Sequence, residues 1–233
     1  MPPDVQEGTL NTICGVQKQW YRVGGGAALV LAVGYVIITV LYARVGVPPD
    51  SGDAWFKYLP GKTTAWWAIL AISVFTDFLY IPVVFALYLA LRELNRNLML
   101  LATAFVGLFV VLDLAVTWSH YASVLLLYRN YVSIADDAHR ASYIAAANYA
   151  SAILRSPLEV VYAIVTLSFG ILFIGFVMLG GTFGKITAYL ALGTGVLGIL
   201  SLTSFSFAII GNAVLATVWL FFVGGKLCRL SQE

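Results

Sequence analysis

Residues 64–91 of the chain read TAWWAILAISVFTDFLYIPVVFALYLAL, and residues 97–127 read NLMLLATAFVGLFVVLDLAVTWSHYASVLLL. Both stretches exceed the roughly 20 apolar residues that an α-helix needs to cross a hydrocarbon core of about 30 Å. Only the short polar turn at residues 92–96 separates them. The pair therefore predicts two neighbouring transmembrane helices of opposite direction, and this hairpin decides the fold class.

The composition of the whole chain fits a protein whose outer solvent is lipid. Of its 233 residues, 61% are hydrophobic and 10% are charged, whereas a soluble domain carries about 25% charged residues because its surface faces water. The net charge of +2, without a basic run, gives no site for nucleic acid. We expect an all-α polytopic bundle of about six transmembrane helices, with membrane lipid as a partner and with room for a homo-oligomer.

Six segments are apolar and long enough to cross a membrane, and we assign them to a single transmembrane domain over residues 25–230. The more polar residues 1–24 form a segment before it. Between the third and fourth spans, an Ala-rich stretch at about 133–154 predicts a helix on the extracytoplasmic side, with Ser133 as its N-cap. The predicted spans are residues 25–45, 64–91, 97–127, 158–180, 186–205 and 207–225.

The distribution of basic residues predicts the orientation in the membrane. Lys and Arg in short loops and beside the spans favour the cytoplasmic side. Basic residues of this kind fall on one side of the predicted bundle. They lie in the short turn at residues 92–96, at Lys185, and near both chain ends, at Lys18 and Lys226. We therefore expect the N-terminal segment 1–24 and the C-terminus in the cytoplasm, and the protein in the cell inner (plasma) membrane.

The candidates for a functional site are polar residues inside the spans, because ionisable groups in lipid are costly. Counted from the turn at 92–96, Asp77 and Asp113 lie about 21–24 Å deep at 1.5 Å per residue. Asn212 falls at a similar depth, and His120 falls near the outer boundary. This convergence beneath two long loops predicts an outward-facing polar pocket, with Asp77, Asp113, His120 and Asn212 as ligand-binding candidates.

Helical phase also bears on this pocket. Asp113, Thr117 and His120 are spaced i, i+4 and i+7, which places them on one face of a regular α-helix. If the carboxyl groups of Asp77 and Asp113 meet, burial and like charge favour a single proton shared between them. An Asp in a span can equally bond to the next helix and only fix packing. The neighbouring span carries a similar stripe of Ser73, Asp77 and Tyr80.

The start of the fourth span shows a capping signature. In Ser156-Pro-Leu-Glu159, Ser156 is the expected N-cap, Pro157 takes the first helical position, and Glu159 can reach back to the cap amide. We therefore assign Glu159 to this local structure.

The sequence supports three classes of function. The leading hypothesis is binding, or transport, of a small or lipid-like ligand in the polar pocket, with no cofactor, no metal and no catalytic residue. Motifs for a nucleophilic Ser or a phosphate loop are absent. One alternative is an intramembrane metal-dependent hydrolase using Asp77, Asp113 and His120, because carboxylate and imidazole are zinc ligands. The other is a structural or partner-binding membrane subunit.

Three stretches carry a resemblance to a known family: Leu89-Ala-Leu-Arg-Glu-Leu-Asn-Arg-Asn-Leu98, Gly181-Thr-Phe-Gly-Lys-Ile-Thr-Ala-Tyr-Leu190, and the segment from Trp219 to Leu230. In these motifs the chain resembles prokaryotic six-helix membrane proteins grouped as a domain of unknown function, the 4386 class. The resemblance covers most of residues 25–230. It implies a bacterial or archaeal inner-membrane location, and it supplies neither an activity nor catalytic residues.

Overall fold

The computed structural model describes residues 3–181, 183–203 and 206–233, and all regular structure in these ranges is helical. The all-α class is therefore confirmed. Thr182, in one motif of the family resemblance, and positions 204 and 205, at the predicted end of the fifth span, lie outside the described residues. The elements are α1 (Pro3–Val45), α2 (Gly52–Tyr58), α3 (Thr63–Leu112), a first π-helical segment (Asp113–Trp118), α4 (Ser119–Ser133), α5 (Asp137–Leu154), α6 (Pro157–Val160), a second π-helical segment (Val161–Val165), α7 (Thr166–Met178), α8 (Lys185–Leu200), a 3₁₀ turn (Ser201–Thr203) and α9 (Ser206–Leu230).

Several of these helices have the length and composition of membrane spans. Within the described ranges, five continuous helical stretches qualify, and the second of them runs through 71 residues. This fits a multi-pass membrane protein. The stretches are Gly15–Val45, Thr63–Ser133, Pro157–Met178, Lys185–Thr203 and Phe207–Leu230.

The long second stretch reverses direction at Asn95. This residue has φ −158° and ψ 92°, which is not helical, and its side chain accepts a hydrogen bond from the Leu98 N–H at 3.0 Å. In a straight helix, Asp77 and Trp118 would lie about 60 Å apart. Instead the Trp118 indole N–H donates to Asp77 at 2.8 Å. The predicted turn at 92–96 is thus where the chain folds back, and the arms 63–94 and 96–112 of α3 lie side by side.

The long helices form a closed ring. α1 packs on α3, α3 on α7, α7 on α8, α8 on α9, and α9 returns to α1. Glycines permit the closest approaches, as small residues do between helices in lipid. A Cβ at Gly25 would lie 2.9 Å from the backbone N of Cys228, and one at Gly24 would lie 2.9 Å from the Pro82 carbonyl oxygen. α1, α3 and α9 are therefore in backbone contact at this end of the ring.

A second, smaller core joins α2, α4 and α5 to α3. Trp55 of α2 packs edge-on against Trp66 of α3 at a ring-centroid distance of 5.0 Å, and Trp66 stacks on Tyr121 at 5.2 Å. The Gly52 N–H donates to the Asn148 side-chain oxygen at 2.7 Å, which ties α2 to α5. These aromatic contacts make α2 and α5 a cap over one end of the ring.

The start of α5 differs from the sequence prediction. Ser133 is not an N-cap, since it is the last residue of α4. Asp136 caps α5 instead, and its carboxylate accepts from the backbone N–H groups of Ala138 and His139 at 3.4 and 3.3 Å. The His139 ring also contacts this carboxylate, and these hydrogen bonds lower the pKa of Asp136. A carboxylate at the helix N-terminus also opposes the positive end of the helix dipole, which a Ser hydroxyl does not.

The helix α1 continues across the boundary predicted after residue 24. α1 runs unbroken from Pro3 to Val45. Its stretch Gly15–Val45 is long and apolar enough to cross a membrane. Trp20 packs edge-on against Phe85 at 4.6 Å, so this polar part of α1 is part of the bundle. A change in hydropathy alone does not end a helix when no proline or C-capping residue follows.

Candidate ligand-binding site

A cavity of about 980 Å³ lies inside the ring of long helices. Its wall combines polar groups from α1, the first arm of α3, the first π-helical segment, α4, α6, α7, α8 and α9, and the second arm of α3 contributes Phe109. Asp77 is 3% exposed and Asp113 is 4% exposed, so both are buried in this wall. Of the four sequence candidates, Asp77, Asp113 and Asn212 line this cavity.

The two aspartates meet at one tryptophan. The Trp118 indole N–H lies 2.8 Å from Oδ2 of Asp77 and 3.0 Å from Oδ2 of Asp113. The two carboxyl groups therefore lie against the same nitrogen atom. The depth that was counted from the turn at 92–96 therefore placed both residues at the same level of the bundle.

The first π-helical segment changes which residues face the cavity. A π-helix has a wider turn with i→i+5 hydrogen bonds, so it rotates the following residues relative to an α-helix. Asp113 and Thr117 line the cavity, and Trp118 joins them. His120 does not line it: its Nδ1 lies 2.6 Å from the Val116 carbonyl oxygen, and its ring is 6.3 Å from that of Tyr149. The α-helical stripe that predicted His120 at the pocket is broken by this segment.

Glu159 is a cavity residue that the sequence interpretation assigned elsewhere. Ser156 does cap α6, accepting from the Glu159 N–H at 3.3 Å, and Pro157 occupies the first turn. The Glu159 carboxylate, however, accepts from the Thr117 hydroxyl at 3.4 Å and lines the cavity. The second π-helical segment begins two residues later, so both π-helical segments adjoin the acidic wall.

The rest of the polar wall is built from hydroxyl and amide groups. Tyr35 and Tyr80 share a hydrogen bond of 2.8 Å between their hydroxyls, which links α1 to α3. Asn212 donates to the Thr194 carbonyl oxygen at 2.7 Å and so links α9 to α8. Gly198 makes room for this arrangement, because a Cβ there would lie 2.8 Å from the Asn212 amide nitrogen. Asn212 thus joins two helices and lines the cavity as well.

Two polar atoms of this wall have no hydrogen-bond partner among the described residues. They are Oδ1 of Asp113 and the hydroxyl oxygen of Ser73. Both residues are at least nine-tenths buried and both line the cavity. Buried polar groups are nearly always satisfied, because an unpaired one costs about 1–3 kcal/mol. These atoms are therefore unsatisfied polar groups beside the cavity.

The cavity wall is apolar on the side where α1 and α9 face each other. Val36 and Val40 of α1 and Val214 of α9 line the cavity and are about half exposed, and Ile210 of α9 is 65% exposed. The same two helices touch near Gly25, ten or more residues away along α1. These exposed apolar side chains on both helices indicate that the cavity opens sideways between α1 and α9 through an apolar mouth.

The residues of the hydrolase alternative do not form a metal site. In the described part of the chain, no group of three His, Cys, Asp or Glu side chains has a geometry that could hold a metal ion. His120, the imidazole of that hypothesis, is bonded to its own helix outside the cavity. What the cavity offers is three carboxyl groups, several hydroxyls and aromatic rings.

Glu159 and Trp118 are among the contributors to the site that were not identified from the sequence. Glu159 carries a signal, since it is an ionisable residue in the first turn of a span, but the capping pattern accounts for it equally well. Trp118 carries none, because a Trp near a membrane boundary is common and only the π-helical phase turns it inward.

No family model, no curated protein and no solved structure matches this chain. The resemblance to the 4386 class therefore stays a prediction.

Proposed function

We propose that this chain is a multi-pass membrane protein that binds a small or lipid-like ligand in the cavity between its helices. The observation that carries the proposal is the pair of unpartnered buried atoms, Asp113 Oδ1 and Ser73 Oγ, in the wall of a cavity of about 980 Å³. This volume is at the upper end of the range for small-molecule sites. A purely structural polar network would be expected to fill this space with its own side chains, because protein interiors are close-packed.

The membrane arrangement belongs to the same proposal. We infer six crossings, because the long stretch Thr63–Ser133 folds back at Asn95 and so contributes two. Six crossings place both termini on one side, and the basic residues near them favour the cytoplasm. The Ala-rich α5 and the short α2 then lie on the extracytoplasmic side. We expect an inner-membrane protein related to the 4386 class, with surrounding lipid as a partner and a homo-oligomer compatible with its surface.

A density map of the protein purified in its native lipid tests the binding function directly. We expect elongated non-protein density that begins at Asp77 and Asp113 and ends between α1 and α9. A dry interior in which neighbouring helices fill the cavity rejects the proposal and favours the structural subunit.

Mass spectrometry of the purified protein gives a second test. The double variant Asp77→Asn/Asp113→Asn should lose the co-purified ligand, because it removes both carboxylates with little change of shape. Glu93→Gln is the matched control, since Glu93 is exposed in the turn at 92–96 and lies outside the cavity lining. An unchanged amount of ligand in the double variant excludes a role for the two aspartates in binding.

A further inference from the structure

The charge of the cavity is one-sided. Its described lining includes the carboxyl groups of Asp77, Asp113 and Glu159, and it includes no Lys, Arg or His. Buried acidic groups are stable only when protons, hydrogen bonds or cations compensate them. The Trp118 N–H and the Thr117 hydroxyl supply the hydrogen bonds that the structure shows. A bound anion would add to the negative charge, whereas a bound cation would balance it.

The two unpartnered atoms indicate which type of cationic group fits the cavity. Oδ1 of Asp113 can only accept a hydrogen bond while the carboxyl group is ionised, and the Ser73 hydroxyl can accept as well as donate. A primary ammonium group carries three N–H donors and matches these acceptors. Aromatic rings of Tyr42 and Tyr121 line the same cavity, and such rings attract cations through their faces. A quaternary ammonium would use the rings but leave both acceptors without a donor.

The apolar mouth of the cavity indicates the chemical character of the rest of the ligand. Asp77 and Asp113 are buried, whereas the opening between α1 and α9 is lined by exposed valine and isoleucine side chains such as Val40, Ile210 and Val214. A molecule that occupies both parts has a charged head and an apolar tail. Because the apolar outer surface of these helices faces lipid in the proposed arrangement, the tail can remain in the hydrocarbon region while the head enters the ring.

We propose that the cavity binds an amphiphile with a primary ammonium head, with the head at Asp113 and Ser73 and the tail leaving between α1 and α9. This proposal rests on the ligand-binding function inferred above and specifies its ligand class. A membrane lipid with an amine head group and a free long-chain amine share this chemistry.

The test compares head groups on one tail. The full chain is held in micelles of dodecyl maltoside, whose head group carries no charge, and binding is measured by equilibrium dialysis against empty micelles. The probes are dodecylammonium, dodecyltrimethylammonium, dodecyl sulfate and dodecanol, with propylammonium as the amine without a long tail. We expect dodecylammonium to bind about tenfold or more tightly than each of the others, because only it makes charge-assisted hydrogen bonds and fills the mouth.

Variants locate the binding. Asp113→Asn should weaken dodecylammonium binding about tenfold or more, and Ser73→Ala, a smaller change that keeps the fold if Asp113→Asn does not, should weaken it several-fold. Glu93→Gln removes one carboxylate outside the cavity and should leave binding unchanged, which controls for general attraction of cations. Equal loss in Glu93→Gln would place the amine at the protein surface and overturn the proposal.

The outcomes separate the two proposals. If dodecanol binds as tightly as dodecylammonium, the ammonium class is wrong and the ligand-binding function stands. If propylammonium binds as tightly, the ligand is a free amine and the amphiphile is wrong. If dodecylammonium is preferred, competition by vesicles that contain phosphatidylethanolamine identifies the natural ligand. Competition indicates a membrane lipid with an amine head group, and absence of competition indicates a free long-chain amine. If no probe binds and native-lipid density is absent, both proposals fail.

Discussion

Asp77 and Asp113 place one carboxyl oxygen each on the same hydrogen-bond donor, the indole N–H of Trp118, at 2.8 and 3.0 Å. An indole has a single N–H, so it cannot fully satisfy two carboxylates. Both oxygens lie against one nitrogen atom, where two ionised carboxylates would repel each other. We therefore expect one proton between the two aspartates, so that the pair carries a single negative charge.

Removal of the shared donor should destabilise the protein. Trp118→Phe keeps the aromatic ring and loses the N–H, and a hydrogen bond to a charged group contributes about 1.5–3 kcal/mol. We expect the free energy of unfolding to fall by about that amount, measured by reversible unfolding in mixed micelles. Trp67→Phe is the matched control, since Trp67 is 38% exposed and should show a change near zero. Equal effects of the two substitutions would mean that ring packing, rather than the N–H, matters at position 118.

The shared proton predicts an unequal response to two substitutions of Asp77. In Asp77→Asn, the amide can donate to Asp113 in place of the shared proton, so the pair keeps its hydrogen bond. In Asp77→Ala, Asp113 loses this partner and a cavity forms. We expect Asp77→Ala to cost about 1–3 kcal/mol more free energy of unfolding than Asp77→Asn, which is the penalty of an unsatisfied buried polar group. Should the two variants unfold at the same denaturant concentration, the proton is not shared between the aspartates.

The sequence was sufficient for the helical class, for the fold-back near residue 95 and for the common depth of Asp77 and Asp113. These follow from span length and from the constant rise of a helix. It was not sufficient for His120 and Trp118, whose directions depend on the π-helical segment Asp113–Trp118. No residue type marks such a segment. It forms where tertiary packing stabilises a wider turn, and tertiary packing cannot be read from a single sequence.

The N-cap of α5 predicts a pH dependence outside the membrane spans. Hydrogen bonds from the His139 ring and from the His139 and Ala138 backbone lower the pKa of Asp136 in the folded protein. A depressed pKa means that the carboxylate stabilises the folded state at pH values above its unfolded value, about 4. This stabilisation is lost as the pH falls further, through the folded pKa. Hydrogen exchange of α5, corrected for the intrinsic rate, should therefore show loss of protection below about pH 4.

Asp136→Asn isolates this carboxylate. Asparagine is also an effective N-cap but does not titrate, so the variant should show protection of α5 that no longer depends on pH in this window. Asp137→Asn is the matched control, because Asp137 is exposed, lies one position later, and does not accept the capping hydrogen bonds. A pH dependence that survives in Asp136→Asn assigns the effect to another group.

The three consecutive glycines of α1 should respond differently to the same substitution. A Cβ at Gly24 would lie 2.9 Å from the Pro82 carbonyl oxygen, and one at Gly25 would lie 2.9 Å from the backbone N of Cys228. Backbone atoms cannot move aside as the end of a side chain can, so Gly24→Ala and Gly25→Ala should each cost about 1–3 kcal/mol. Gly26 has no atom within 4 Å of its Cβ position, so an alanine fits there without a clash. Gly26→Ala should stabilise α1 by about 0.5–1 kcal/mol, because alanine lowers the backbone entropy of the unfolded chain. The midpoints of thermal unfolding in detergent should therefore decrease for the first two variants and increase for the third. A Gly25→Ala variant as stable as the wild type would show that α1 and α9 are not in backbone contact near Gly25. The contact that closes the space between these helices beyond the mouth of the cavity would then be absent.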